Sequence, residues 1–397
     1  VLDLGVIVMG AELSRLLADM GADVVKVENL AFPDGMRWLS PGGVLTAAIA
    51  WGHRNKRGLG LNLRDPRGVQ MFLQLVGEAD MVLSNFKPGT MEQLGLSYDV
   101  LSKANPRIVV GECSALGADG EWSTRMGYGP LVRAACGLTA LWAYPERDDG
   151  FCDSGTIYPD HAAARAQAVG VLSALLRARR TGAGALVKAA QSETILSELS
   201  TELLRESLEP GSVRALGNPG EFDAPQGVYP AAGDDEWVVV EVSGDQQWRA
   251  LAAVLGLPDL IGDPRFASAE ARLAHRRQID DLVWAWTCRR SPWHAMEVLQ
   301  HAGVPAAGMR RIVDLLDDPQ MAAREHYAQL LQPQLGAVIP AERSPARYAR
   351  IADPPQRPAP LAAQHTRSVA ADWLGLTEAQ IDAAIEAGIL ELATRTD

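Results

Sequence analysis

Apolar positions in the first third of the chain follow two alternating rhythms. Short β-branched runs at Val24–Glu28, Met81–Leu83 and Ile108–Glu112 predict buried strands, and a 3.6-residue period between them predicts helices at Ala11–Met20 and Pro66–Gly77. In the first of these helices Leu13, Leu16, Leu17 and Met20 share a face, and Gly21 follows as a residue that takes the left-handed cap without steric cost. Strands and helices in alternation predict an α/β fold with a parallel sheet.

After Asp160 an alanine-rich period from His161 to Arg180 sets Val169, Leu172, Leu175 and Leu176 at helical spacing, and Gly182 and Gly184 stop it. A strand at Ala185–Ala190 and a helix at Ser192–Ser207 follow. Residues 209–226 are dense in Pro and Gly and predict a linker. Beyond it, an alternating strand at Glu236–Val242 and helices at Gln246–Leu255, Glu270–Thr287 and Trp293–Ala302 predict a smaller α+β domain over residues 227–320. The remainder, 321–397, carries an extended Pro-rich path at Asp353–Pro360 and helices at Ser368–Leu374 and Glu378–Gly388.

A length of 397 residues, 47% apolar and 22% charged, fits a globular chain with more than one core. The balance of 37 Lys and Arg against 49 Asp and Glu, net −12, argues against nucleic acid as a partner and leaves room for a local basic pocket. Apolar runs such as Val1–Ala11 fall short of the roughly 20 residues that span a bilayer, so no membrane partner is expected. Cys113, Cys136, Cys152 and Cys288 are scattered and no basic leader with a small-residue cleavage site opens the chain, which makes the cytoplasm the expected compartment. Val1 lies inside an apolar run, so residues ahead of it are expected.

Common catalytic signatures are missing. Gly5 and Gly10 have P-loop spacing, but Ala11-Glu12 stands where Lys and Ser/Thr would be needed. Neither a dinucleotide fingerprint, a nucleophile elbow nor metal-ligand spacing of His and Cys occurs, so no metal is expected. Three local features remain. Arg54, Lys56, Arg57, Arg64 and Arg67 gather against the single acid Asp65, either as a phosphate cradle or as a solvated loop. Asn85-Phe86-Lys87-Pro88-Gly89 follows a predicted strand at the carboxyl edge, where open α/β sheets bind ligands. The loop Gly155–His161 delivers Asp160 to a helix start, as an N-cap or as a carboxylate nucleophile.

Taken in order, Leu2-Asp3-Leu4, Gly21–Glu28, Arg54–Arg57, Asn85–Gly89, Leu94-Gly95-Leu96, Asn105-Pro106-Arg107, Gly127-Tyr128, the Asp160 loop, Arg179–Gly184, Gly303-Val304-Pro305, Asp318-Pro319, Ala359-Pro360-Leu361 and His365-Thr366 are notable as a set. In order and spacing this series resembles the family III CoA-transferases, the group containing formyl-CoA and carnitine CoA-transferases. The resemblance implies a large Rossmann-like domain built from residues 1–208 and the returning 321–397, a small domain between, and an interlinked homodimer. It implies acyl-CoA and a carboxylic acid as substrates, coenzyme A as the transferred group, and no permanently bound cofactor.

By position, the resemblance makes Asp160 the covalent nucleophile. CoA contacts carry over to Val8, Met9, Leu61, Arg64, Asn85, Phe86, Lys87, Arg125 and Tyr128, with Arg54 and Lys56 as phosphate partners. Tyr158, His161, Gly217 and Gly220 are expected in the substrate pocket. Asn29, Gln93 and Met126 depart from basic residues frequent in the family, and Gly217–Glu221 stands in place of a glycine-rich lid. The α-methylacyl-CoA racemases share the implied fold, but Tyr128 stands where they carry a His and only Asp245 matches their second acid/base group. A non-catalytic CoA-binding protein is the third alternative.

Overall fold

A computed structural model describes residues 1–38, 45–147, 150, 157–354 and 356–393. The loop Gly155-Thr156 ahead of Asp160, and Cys152, lie outside the described residues. The chain divides into two compact units, one of Val1–Leu138, Ser154–Leu208 and Gln320–Asp397, the other of Thr139–Asp153 and Glu209–Pro319. Two segments fall differently from expectation: 139–153 groups with the second unit, and so does 209–226, expected to be a linker.

In the first unit, β1 (Leu2–Asp3), β2 (Val25–Glu28), β3 (Arg57–Leu61), β4 (Met81–Ser84), β5 (Val109–Ser114) and β6 (Ala185–Ala190) run parallel in the order β3-β2-β1-β4-β5-β6. Side chains alternate across this sheet as the pleat requires. Leu2, Leu4, Val82 and Val110 enter a core with Phe72, Leu75, Leu101 and Ile381, while Met81, Leu83, Val109 and Cys113 pack on the opposite face against Met9, Leu13, Ala163, Ala164 and Val171. The alanine-rich sequence lets the long helix Tyr158–Thr181 lie close to that second face: a Cβ on Gly111 of β5 would come 2.7 Å from Val171.

The second unit holds the antiparallel strands β7 (Gln226–Pro230), β8 (Trp237–Glu241) and β9 (Ala306–Gly308) over a core of Trp248, Leu251, Phe266, Ile279, Val283 and Leu299. Just ahead of β7, Asp223 is clamped by Arg272 at 2.7 and 2.8 Å. Back in the first unit, β10 (Tyr327–Gln332) and β11 (Ala337–Glu342) form a hairpin, and β12 (Leu390–Glu391) adds an antiparallel edge to β3.

Strand β3 escaped the sequence pattern because Gly58 and Gly60 interrupt it. Tertiary structure explains both: a Cβ on Gly58 would sit 2.8 Å from the Leu361 carbonyl, and one on Gly60 would sit 2.6 Å from that of Glu391. Two predicted single helices are each broken, into Gln191–Glu198 and Ser200–Leu208, and into Ala269–Ala274 and Arg276–Thr287. Among the described residues no helix is long and apolar enough to cross a membrane.

Candidate active site

Strand order reverses between β1 and β4, and in open α/β sheets the crevice at the carboxyl ends of such strands is where ligands bind. Here the two ends are clipped together. Asn85 accepts from the Val6 amide at 2.7 Å and donates to the Val6 carbonyl at 2.8 Å. Gly10 is required beneath this clip, since a Cβ there would lie 2.6 Å from both Asn85 Oδ1 and Gly5 Cα. Ile7 begins the first helix, Ile7–Asp19, at φ +56°, a costly conformation for a β-branched residue. Its amide donates to Asp34 Oδ1 at 3.0 Å. Replacing Asn85 with Ala removes both ends of the clip, and denaturant melts are expected to show a loss of about 2 kcal/mol.

Of the predicted contacts at this crevice, Val8 is half-buried and Met9 turns its side chain into the core. Leu61 is buried in the core on the other face of the sheet, Phe86 packs against that same core, and Lys87 is exposed.

The expected phosphate cradle is corrected by the structure. Arg54 is buried with its guanidinium on Asp19 and Glu342, each at 2.7 Å. Lys56, also buried, donates to Asp3 at 3.0 Å and to the Ala11 carbonyl at 2.9 Å. Neither presents a charge to a phosphate: Arg54 ties the first helix to β11 and Lys56 ties β1 to the first helix, because a buried cation must be paired. Arg57 pairs with Asp23 and Asp372, and Arg67 with its neighbour Asp65. Arg64 is the exception: exposed, it lies over the Phe32 ring, 3.7 Å from its centroid.

Asp160 lies in the first turn of the long helix, and Ile157 rather than Asp160 occupies the N-cap position. The carboxylate is 8% exposed, accepts from Gln191 Nε2 at 3.2 Å, and has no ion pair among the described residues. Its other oxygen lies where the side chain of a larger residue at 129 would go: a Cβ on Gly129 would be 2.0 Å from Asp160 Oδ2. Burial pushes the Asp160 carboxyl above the ordinary range, against the opposing effects of the Gln191 hydrogen bond and nearby His161. The same burial, and then the Asp160 charge, lift the Cys113 thiol to about 12, so that cysteine is no rival nucleophile.

His161 follows directly. Its Nδ1 bonds Glu12 Oε2, and its ring meets Trp51 edge to face with centroids 5.7 Å apart. Glu12 is fully buried in the first helix, with Arg165 at 3.0 Å and Arg15 at 3.8 Å. Arg15 in turn lies over Trp51, 4.7 Å from its centroid. Tyr158 donates to Glu198 at 2.6 Å. Tyr128, half exposed, precedes Gly129 at the start of the helix Gly129–Ala135, and Arg125 lies 5.3 Å from the Trp122 ring.

Gly217 and Gly220 belong to the second unit, where Gly217 takes φ +69° beside Tyr144 and Gly220 bonds the Gln226 carbonyl. Sequence reasoning missed Glu12, Gly129 and Gln191. Glu12 carried one signal, an acid inside an apolar helix face, where it needed a partner.

Residues 1–366 match the family described as CoA-transferase family III. A protein named probable CoA-transferase Rv1866, from Mycobacterium tuberculosis, is 44% identical over 95% of this chain and 48% of its own length, so the chain spans about half of that relative. Succinyl-CoA–D-citramalate CoA-transferase from Chloroflexus aurantiacus is 33% identical over 95% of this chain and 94% of that protein. The crystal structure of a CaiB/BaiF family protein from Brucella suis superposes with a TM-score of 0.85 at 26% identity, covering 94% of this chain and 97% of that one. Given a match of that extent, the chain belongs to CoA-transferase family III.

Proposed function

We propose that this protein transfers coenzyme A from an acyl-CoA to a carboxylic acid, with Asp160 as covalent nucleophile. Asp160 attacks the thioester carbonyl and expels CoA thiolate, giving a mixed anhydride. The thiolate attacks the aspartyl carbonyl, releasing the donor as a carboxylate and leaving an aspartyl-CoA thioester. The acceptor carboxylate attacks that thioester, expels the thiolate again and forms a second anhydride. The thiolate then takes the acceptor acyl group and frees Asp160. The observation that carries this reading is a buried carboxylate with no ion pair among the described residues, held by Gln191 and fitted over Gly129. Poor solvation keeps such an oxygen reactive, and exclusion of water protects the anhydrides.

Relatives are named for succinyl-CoA with malate or citramalate, for acetyl-CoA with oxalate, and for succinate with glutarate. Short dicarboxylic acids are accordingly the proposed substrates, and a cytoplasmic homodimer the proposed form. CoA phosphates fall to Arg64 and Lys87 rather than to Arg54 and Lys56, with the turn around Val8 and the region of Arg125 and Tyr128 as further contacts. Racemase chemistry is disfavoured because Asp245 is committed to Arg272 at 3.0 Å and Tyr128 is a poor acid/base at neutral pH.

The test is to incubate the protein with succinyl-CoA or acetyl-CoA and trap with borohydride or hydroxylamine. Modification at Asp160, located by peptide mass spectrometry, is the expected result. Product formation with Asp160 never modified would overturn the mechanism.

A further inference from the structure

The transfer sequence proposed above moves no proton: every attacking group is a carboxylate or a thiolate. That leaves the Glu12–His161 pair without a task, although its arrangement is that of an imidazole set for chemistry. Facing a carboxylate, Nδ1 carries the ring proton and donates to Glu12, so the tautomer follows from the hydrogen-bond network. Nε2 has no partner among the described residues, and the side chain is 32% exposed. Trp51 fixes the ring from one side and is itself held by the Arg15 guanidinium and by its indole N–H on Glu342 at 2.9 Å. A buried carboxylate orienting one ring nitrogen and leaving the other free is how enzymes position an acting imidazole.

The transfer chemistry has one group in need of such a partner. The CoA sulfur is expelled twice and must attack twice, yet a thiol of ordinary pKa, about 8.5, is mostly protonated and weakly nucleophilic at neutral pH. We propose that His161, oriented by the buried Glu12, holds the coenzyme A sulfur as a thiolate between its expulsion and its return. This rests on the CoA-transfer reading. In the imidazolium form, which the ring reaches by taking a proton from solvent at Nε2 before acyl-CoA binds and which the buried Glu12 carboxylate favours, the Nε2–H donates to the sulfur anion, and no proton leaves the ring. Sulfur then forms its bond to the aspartyl carbonyl as the anhydride C–O bond breaks, and the donor leaves as a carboxylate. His161 is the group that touches the reacting atom, and Glu12 is a positioning residue.

The charged groups around the ring are Glu12 and Arg15 on the first helix, Asp160 and Arg165 on its own helix, and Glu342 across Trp51. Arg165 pairs with Glu12 at 3.0 Å, while Arg15 is held more closely by Asp19 at 2.7 Å and Glu342 at 3.1 Å than by Glu12.

The experiment uses coenzyme A itself, so it requires no knowledge of the acyl group. The ultraviolet absorbance of the bound thiolate is titrated against pH in the wild type, His161→Gln and Glu12→Gln. In the wild type the midpoint is expected about one pH unit or more below that of free CoA. It should return to the free value in His161→Gln and lie between the two in Glu12→Gln. A purely structural role would lower the melting temperature of the variants and leave the midpoint where it was. A wild-type midpoint equal to that of free CoA, or one unmoved in His161→Gln, overturns the proposal.

Should either variant fail to fold, NMR of the wild-type His161 ring with CoA and with desulfo-CoA decides the matter. A shift with CoA alone is expected, and the same shift with both overturns the proposal. If CoA does not bind at all, the transferase reading itself falls, which is a different outcome from binding with an unshifted thiol.

Discussion

Asp160→Ala is expected to lower turnover by a factor on the order of 10³ or more, with far-UV circular dichroism and CoA affinity retained. Loss on this scale follows because, in the proposed sequence, removing the carboxylate removes both anhydrides and the enzyme thioester, and water is a poor substitute in a buried site. The substitution releases Gln191, one hydrogen bond, and relieves the burial of a charge, so the fold loses little. The wild-type pH profile provides a second reading of the same group. Only the ionised carboxylate attacks, and burial raises the Asp160 carboxyl. As pH falls, the nucleophile is therefore protonated sooner than an exposed aspartate would be, and the acid limb of kcat/KM should have its midpoint above the usual aspartate value of about 4. Near wild-type activity in Asp160→Ala would eliminate the residue as nucleophile.

Gly129→Ala should be the second most damaging change, although it adds one methyl group. Alanine favours helix over glycine by about 1 kcal/mol, so local propensity alone would make the substitution harmless or stabilising. The new Cβ, however, would lie 2.0 Å from Asp160 Oδ2, well inside contact distance. Either the carboxylate or the helix Gly129–Ala135 must move, and a displacement of about 1 Å at a nucleophile costs roughly 100-fold in rate. We expect kcat to fall by about that factor with KM for acyl-CoA changing less, measured by steady-state kinetics, and thermal melting to stay within a few degrees of wild type. Retention of full kcat would show that the carboxylate does not act from the position described.

Much of the sheet was legible because its strands are short apolar or β-branched segments bounded by helices, with β2 and β4 fully buried and β6 at the sheet edge. Met81–Leu83 reads as an apolar run, Val24–Glu28 and Ala185–Ala190 as apolar or β-branched runs interrupted by Lys26, Glu28 and Lys188, and the structure places β2, β4 and β6 there within a residue or so. β3 was not legible, since its glycines answer to the C-terminal segment that packs on it from more than 300 positions away. Leu199 and His275 interrupt helices whose apolar period continues through them, so periodicity alone could not find the breaks.

The candidate site divides in the same way. A lone acid ahead of a long helix, together with motifs in a family's order, was enough to single out Asp160 from the linear chain. The pairing of cations was beyond it. Arg54 and Lys56 look like phosphate ligands in sequence because their partners, Asp19, Glu342 and Asp3, lie far along the chain and are brought in by folding. Glu12 and His161, 149 residues apart, became a pair only when the first helix packed beside the long one. Local sequence thus determined where strands and helices form and which carboxylate heads a helix, because those outcomes depend on neighbours a few residues away. Only the tertiary structure decided which charges are neutralised and which are buried without an ion pair, because burial and electrostatic pairing depend on distance in space rather than separation along the chain.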